Sequence, residues 1–351
     1  MAYTTIDNPE LYFQTKLYTG NGGTNAITFD GSENMQPDWV WIKSRSQAVN
    51  HYGYDSVRGT DKRLQQNINN AESTTDTTWF NSFNSNGFTI GSESNINNSS
   101  STYASWNWKA GGSASSNSDG SITSSVSANT TAGFSIVSYT GSGSNATVGH
   151  GLGVAPAWYI VKQRDAARSW NVYHKSLGAT KYVLLENTAG SGTDSTVWND
   201  TEPTSTTFSV GTTNSTNASS GTFIAYCFAE KKGYSKFGSY TGNGNADGKF
   251  VYLGFRPAMF LIKSSSNSEQ WEIMDNKRDD SNVVNQILVP NGSDAEIASN
   301  SGNRFFGDFL SNGVKFRGNA SSANGSGISY IYMAFAESPF VNSNGVPNNA
   351  R

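Results

Sequence analysis

Three stretches decide the architecture: PDWVWIK (Pro37–Lys43), PAWYIVK (Pro156–Lys162) and PAMFLIK (Pro257–Lys263). Each opens on a proline, runs through apolar residues and ends on a lysine at the same spacing. The side chains differ while the spacing does not, which is the mark of internal duplication. Proline is tolerated at the first position of a strand. Large apolar residues at successive positions, without polar alternation, fit a strand buried on both faces.

Working outward, the same order of landmarks surrounds each stretch. Upstream stand Tyr18-Thr19-Gly20, Tyr139-Thr140-Gly141 and Tyr240-Thr241-Gly242, each followed by a Gly/Asn/Ser turn. Downstream come YDSVRG, YHKSLG and MDNKRD, which put Asp55, His174 and Asp275 in corresponding places. A second strand pair follows, with Asn-Gly at 86–87 and 312–313 as the hairpin signal. Each unit closes on a strand: TYASWNWKA from Thr102, TFIAYCFAE from Thr222 and SYIYMAFAE from Ser329. Both faces of that strand carry large residues, so it is expected at the centre of a sheet.

The predicted fold is all-β: three tandem β-sandwich modules, jelly-roll-like, each of roughly a hundred residues. The boundaries read from the landmarks are a docking peptide over 1–16, modules over 17–110, 135–232 and 233–338, and a tail over 339–351. Residues 111–134, poor in apolar side chains, read as a Ser/Gly-rich linker. No such spacer separates the last two units, so the first is expected to hang as a tethered module beside a fused pair. LQQNINNAE after Arg63 is the best candidate for a helical turn.

Composition narrows function. Aromatics make up 13% of the 351 residues and net charge is −3, which excludes a disordered chain. Near-balanced charge without basic clusters argues against nucleic acid. The single cysteine, Cys227, rules out a disulfide framework and a cysteine zinc site. No stretch is apolar enough for a membrane-spanning helix, and the first residues lack the pattern of a signal peptide. The expectation is a soluble protein made in a bacterial cytoplasm.

Few residues stand in a pattern that chemistry requires. His51, His150 and His174 share no ligand spacing, and His174 reads as a surface or turn position. The GxG runs at 141–153 and 242–248 are followed by strands, so they read as glycine turns rather than phosphate cradles. Asp279-Asp280 reads as a solvated face rather than an acid–base pair. Asp119, Asp194 and Asp200 could join carbonyls around calcium, but no EF-hand or nonapeptide spacing is present. No nucleophile elbow occurs, and Cys227 lies mid-strand. Neither a cofactor nor an enzymatic activity is expected. Most tryptophans fall at repeat-aligned strand positions and read as core. A glycan or receptor surface, if present, is expected at Trp79, Trp198, Tyr52 and Tyr54, with Tyr12 and Phe13 as docking residues.

The strings YTGNG, YDSVRG, FNSNGFTIG, GFSIVSYTG, TVGHGLGVAP and YIYMAFAESPFV resemble an uncharacterised repeat domain common in tailed phages of marine bacteria, including cyanophages. The resemblance covers about residues 12 to 351. It implies a structural protein of the virion surface, a tail fibre or receptor-binding component contacting the host, with a capsid decoration or head-fibre protein as the alternative. It carries over no functional residues. A glycan-degrading enzyme is the reading from another class, but no acid pair supports it. Partners are then other virion proteins and a host glycan or receptor, with a homotrimer favoured.

Overall fold

The computed structural model describes residues 3–299 and 304–349. The chain is all-β, and every named strand pair is antiparallel.

Three large sheets share one strand order. In the first, the closing strand Thr102–Trp108 lies between Phe13–Thr19 and Trp39–Ser44, and Tyr52–Asp55, Gly59–Gln65 and Ser73–Thr74 follow. In the second, Thr222–Phe228 lies between Phe134–Thr140 and Trp158–Gln163, followed by Asn171–His174, Lys181–Leu184 and Gly192–Thr193. In the third, Ser329–Pro339 lies between Ser235–Thr241 and Phe255–Ser264, next to Glu272–Asp275. The closing strand is thus central in each sheet.

A smaller sheet covers the outer face of each large one. Asn25–Thr28, Gly87–Ile90 and Phe80–Asn84 form the first, Ala146–Gly149 and Thr207–Val210 the second, and Phe250–Tyr252, Gly313–Phe316 and Gly307–Leu310 the third. Both Asn-Gly signals sit in hairpins, pairing Asn84 with Gly87 and Leu310 with Gly313.

The period-2 rule now explains the three opening stretches. Val40 and Ile42, Tyr159 and Val161, and Phe260 and Ile262 point into the core between their own large and small sheets. Their alternates Trp39 and Trp41, Trp158 and Ile160, and Met259 and Leu261 point the other way, into one core shared by all three repeats. Both faces are therefore buried, and no position remains for polar alternation. Trp39 is a hub of the shared core, 4.5 Å from the Trp108 ring and 4.2 Å from Tyr226 of the second repeat.

The Tyr-Thr-Gly landmarks have an equally local cause. Tyr18, Tyr139 and Tyr240 each donate to a carbonyl, of Ile96 (2.8 Å), Thr216 (2.6 Å) and Ala323 (2.5 Å). The glycine that follows passes so close to the next carbonyl that a Cβ would stand 2.1–2.3 Å from the oxygen of Asn98, Ala218 or Gly325. One buried asparagine per repeat clamps the loop beyond: Asn97, Asn217 and Asn324 accept from the backbone of Asn21, Ser142 and Asn243 and donate to carbonyls on both sides.

Four expectations are corrected. Residues 111–134 are not a linker. Ser115–Asn117 and Ser124–Asn129 extend the second large sheet out to its edge, held by backbone pairing that asks for little apolar content. Val126 anchors the segment in the second outer core, and the Ser127 hydroxyl accepts from Gly111 N and donates to Gly112 O. The first repeat is not tethered loosely, since its tryptophans lie in the shared core. The segment after Arg63 forms no helix. Four-residue helices occur instead at Ser94–Asn97, Ser195–Trp198 and Asn214–Asn217.

The fourth correction concerns the terminal segments, which are folded onto their own chain. Phe13 begins a strand and stacks 5.0 Å from Phe335, and Tyr12 meets Tyr234 edge-on. Thr4 donates to Lys232 O, and Asp7 accepts from Ser343 N of the tail. Residues 1, 2, 350 and 351 of the proposed docking peptide and tail lie outside the described residues.

Candidate functional site

Networks of buried charged groups lie at the seams where repeats meet. At the seam between the first and second repeats, Asp55 and Arg58, both without side-chain exposure, pair at 2.5 Å. Arg58 also reaches Glu72 at 3.0 Å, and Glu72 is gripped on both oxygens by Arg164 of the second repeat at 3.0 and 2.9 Å. Tyr226 of the second repeat donates its hydroxyl to Asp55 at 2.7 Å.

The seam between the third and first repeats is built alike. Asp275 pairs with Arg278 at 2.6 Å, Arg278 reaches Glu296 at 3.2 Å, and Arg45 of the first repeat grips Glu296 with distances of 2.7 to 3.1 Å. Trp106 of the first repeat donates its indole N–H to Asp275 at 3.1 Å. Charges removed this far from water need such complete pairing.

At the seam between the second and third repeats every member differs. His174 replaces the aspartate, Leu177 the arginine, Ser191 the glutamate and Ser265 the gripping arginine, while Met333 stands where the others carry Tyr226 and Trp106. A thioether has no proton to donate, so an aspartate here would face no donor from that position. The imidazole instead accepts Ser176 N–H on Nδ1 and donates from Nε2 to Tyr332 O at 3.3 Å. A cleft of about 440 Å3 opens at this seam.

Two further sets of contacts recur around the ring of seams. Trp170 donates to Gln65 O and Ile68 O, Trp271 to Leu184 O, and His51 through Nε2 to Val289 O, each reaching the preceding seam partner. The lysines that close the opening stretches are buried, and desolvation pushes Lys43, Lys162 and Lys263 down to about 8. Their ammonium groups are held by carbonyls, and Lys162 and Lys263 reach across seams to Asn69 O and Thr188 O.

All three histidines are locked neutral. Trp41 can only donate to His51 Nδ1, and Leu152 N–H donates to His150 Nδ1, so in each ring Nε2 carries the proton and gives it to a carbonyl. Burial lowers all three, His174 to about 3. The sign follows from comparison with the unfolded chain, whose histidines titrate near 6.5. Above that value neither state binds the proton and stability is complete. As pH falls below about 6.5, the unfolded chain takes up protons that the fold refuses, and stability declines. For His174 the interval from 6.5 to about 3 corresponds to about 5 kcal/mol at its limit. Denaturant midpoints measured from pH 7 to pH 4 should fall steadily, and His174→Gln should flatten that slope while lowering the midpoint at pH 7. An unchanged slope would refute the assignment.

The sequence-predicted surface residues do not form a surface. Tyr52 is 4% exposed, and Tyr54 and Trp198 are fully buried in the outer cores. The loop expected at Trp198 is a short helix whose first turn is capped by Asp194, and this turns the indole onto Tyr159. Trp79 is half-buried, edge-on to Tyr52, with the Arg63 guanidinium 4.0 Å above its ring. His174, expected at a surface, has no exposure. Tyr12 and Phe13 are packing residues, as described above.

What the sequence reading missed is Arg58, Arg278, Glu72 and Glu296. The available signal was Asp-x-x-Arg in YDSVRG and MDNKRD. It also missed Phe250 and Tyr252, which are 39% and 48% exposed on the edge strand of the third small sheet. By strand register the first and second repeats hold Ala26 and Thr28, and Thr147 and Gly149, at those positions. Lys236 lies 5.0 Å from the Tyr252 ring, and Lys232 4.4 Å from the neighbouring Tyr3 ring. Among the described residues no cluster of three metal-ligating side chains occurs, and no helix is long and apolar enough to cross a membrane.

Fold and seams together define an all-β internal-repeat protein whose buried polar groups join successive repeats into a closed ring of contacts. The chain belongs to the family described as Domain of unknown function (DUF7483), whose model matches residues 8–339. That span takes in all three repeats. No match is found among curated proteins.

Proposed function

We propose that this chain is a non-enzymatic structural protein on the surface of a tailed-phage virion, in a tail-fibre or receptor-binding role at the host surface. In this reading the chain is three copies of one sandwich module, and the third copy makes the contact. The observation that supports it is the exposed pair Phe250 and Tyr252. Two outward aromatics on an edge strand, flanked by lysines, have the composition of a contact surface, since aromatic side chains dominate binding hot spots. The two sister repeats carry small residues there, so the aromatics are not needed for the fold.

Phages bearing Phe250→Ala with Tyr252→Ala should assemble normally and adsorb to host cells ~10-fold more slowly or worse. Normal adsorption by these particles, or by particles lacking the protein, would overturn the receptor-binding role.

A second reading, capsid decoration, is favoured by the ring of seams. Three repeats closed around one core offer a threefold partner a matched face within a single chain. Density on the capsid lattice in electron micrographs of the particle, rather than on the tail, would select it. On either reading the protein sits on the virion and meets other virion proteins.

A further inference from the structure

We propose that the cleft at the seam between the second and third repeats binds a neutral sugar ring. The three seams share a backbone frame and differ in what fills it. Glu72, Ser191 and Glu296 each stand one residue before a short edge strand, and each gives its backbone N–H to the neighbouring repeat, at Arg164 O (2.6 Å), Ser265 O (2.8 Å) and Arg45 O (2.7 Å). The backbone geometry is therefore kept at all three seams. At two of them the space beyond that bond is filled by a glutamate gripped by an arginine. At the third both long side chains are serines, and about 440 Å3 stands open. The cleft takes in the place that an ion pair fills at the other seams, within an intact frame, and its volume lies in the size range of small-ligand sites.

Its lining fits a polyhydroxylated, uncharged ligand. Ser191, Ser265, Ser266, Ser268 and Asn267 contribute hydroxyls and an amide, and Tyr182 contributes an aromatic ring. Ser265 Oγ donates to Ser329 O and keeps lone pairs to accept, whereas Ser266 Oγ accepts Ser329 N–H and keeps a proton to give. None of the lining residues carries a formal charge. The nearby Lys263 ammonium is already bound to Thr188 O and Glu269 O, so an anion would find no free cation there.

A second observation is independent of the missing ion pair. Tyr182 pairs across the strands with Gly192, where a Cβ would stand 2.7 Å from the tyrosine ring. The matching cross-strand pairs are Arg63 with Ser73 and Ile287 with Ile297. An aromatic ring settled on a glycine thus occurs at the open seam and at neither filled one. A flat ring beside hydroxyl and amide groups is the arrangement that takes a sugar's C–H face and its hydroxyl rim together.

The site stands apart from the virion reading, because it is tested on the purified chain. Glucose, galactose, N-acetylglucosamine and their disaccharides would be titrated at millimolar concentration and followed by saturation-transfer NMR and calorimetry. At least one should bind the native protein. Tyr182→Ala should weaken it roughly tenfold. The double variant Ser191→Glu with Ser265→Arg, which rebuilds the pair seen at the other seams, should abolish binding while leaving the melting temperature unchanged or higher. Ser265→Met, which blocks the cleft without charge, should act alike and serves if the double variant folds poorly. No binding by any of these sugars, or undiminished binding after the cleft is refilled, would overturn the proposal. Neither result would bear on where the protein sits in a particle.

Discussion

Arg58→Ala should cost about 3–5 kcal/mol of folding stability, the range for removing one partner from a fully buried ion pair. The guanidinium contacts Asp55, Glu72 and the Gly53 carbonyl, with no side-chain exposure. Its loss leaves Asp55 buried with the Tyr226 hydroxyl and backbone amides as its remaining partners. The expected readout is a large fall in the denaturant midpoint with an unchanged slope. The third seam suggests the compensating experiment. Replacing Asp55, Arg58 and Glu72 together by the second repeat's His, Leu and Ser removes the buried charges and leaves only the partly exposed Arg164 without its carboxylate, and buried ion networks exchanged as a set are often close to neutral. That triple variant should recover part of the loss. A change under about 0.5 kcal/mol for Arg58→Ala, the scale of ordinary surface substitutions, would show that the network contributes nothing.

Trp39→Ala should cost a similar about 3–5 kcal/mol, with a more telling signature. Trp39 belongs to the first repeat but stacks on Tyr226 of the second and lies 6.1 Å from Phe134. If the shared core joins the repeats into one cooperative unit, the variant unfolds in one transition at lower denaturant, with tryptophan fluorescence and far-ultraviolet dichroism coincident. Loss of only the first repeat's signal, with the remainder unfolding at the native midpoint, would mean that each sandwich stands by itself.

The architecture was legible because the proline-to-lysine spacing repeats and because a stretch without polar alternation demands burial on both faces. Residues 111–134 were misread for a physical reason. A strand that adds to a sheet edge takes most of its stabilisation from backbone bonds, which serine and threonine supply as well as valine. Tyr52 and Tyr54 were misread as surface because they flank the first unit's turn, although the alternation of YGYD places both tyrosines on one face, toward the outer core. The seams were the hardest to see. Asp55 and Arg58 are neighbours in sequence, but Tyr226 and Arg164 lie 171 and 92 positions from the residues they bind. The substitution of Asp by His at 174 acquires a meaning only when Met333 is seen across from it.

The unequal seams also bear on how such a chain avoids tangling with its own copies. Sandwich repeats of one ancestry have similar outer shapes, so a first repeat of one molecule could in principle dock where a third belongs in another. Here one junction carries a different key from the other two. A first or third repeat brings Asp, Arg and Glu and needs a hydroxyl or indole donor with an arginine opposite. A second repeat brings His, Leu and Ser and meets a methionine and a serine. A shuffled neighbour would leave a carboxylate facing a thioether, or an arginine facing a serine where it needs a glutamate, with several kcal/mol against it. Divergence at one junction out of three thereby supplies an address that similar folds alone could not, and it keeps one polypeptide closing on itself.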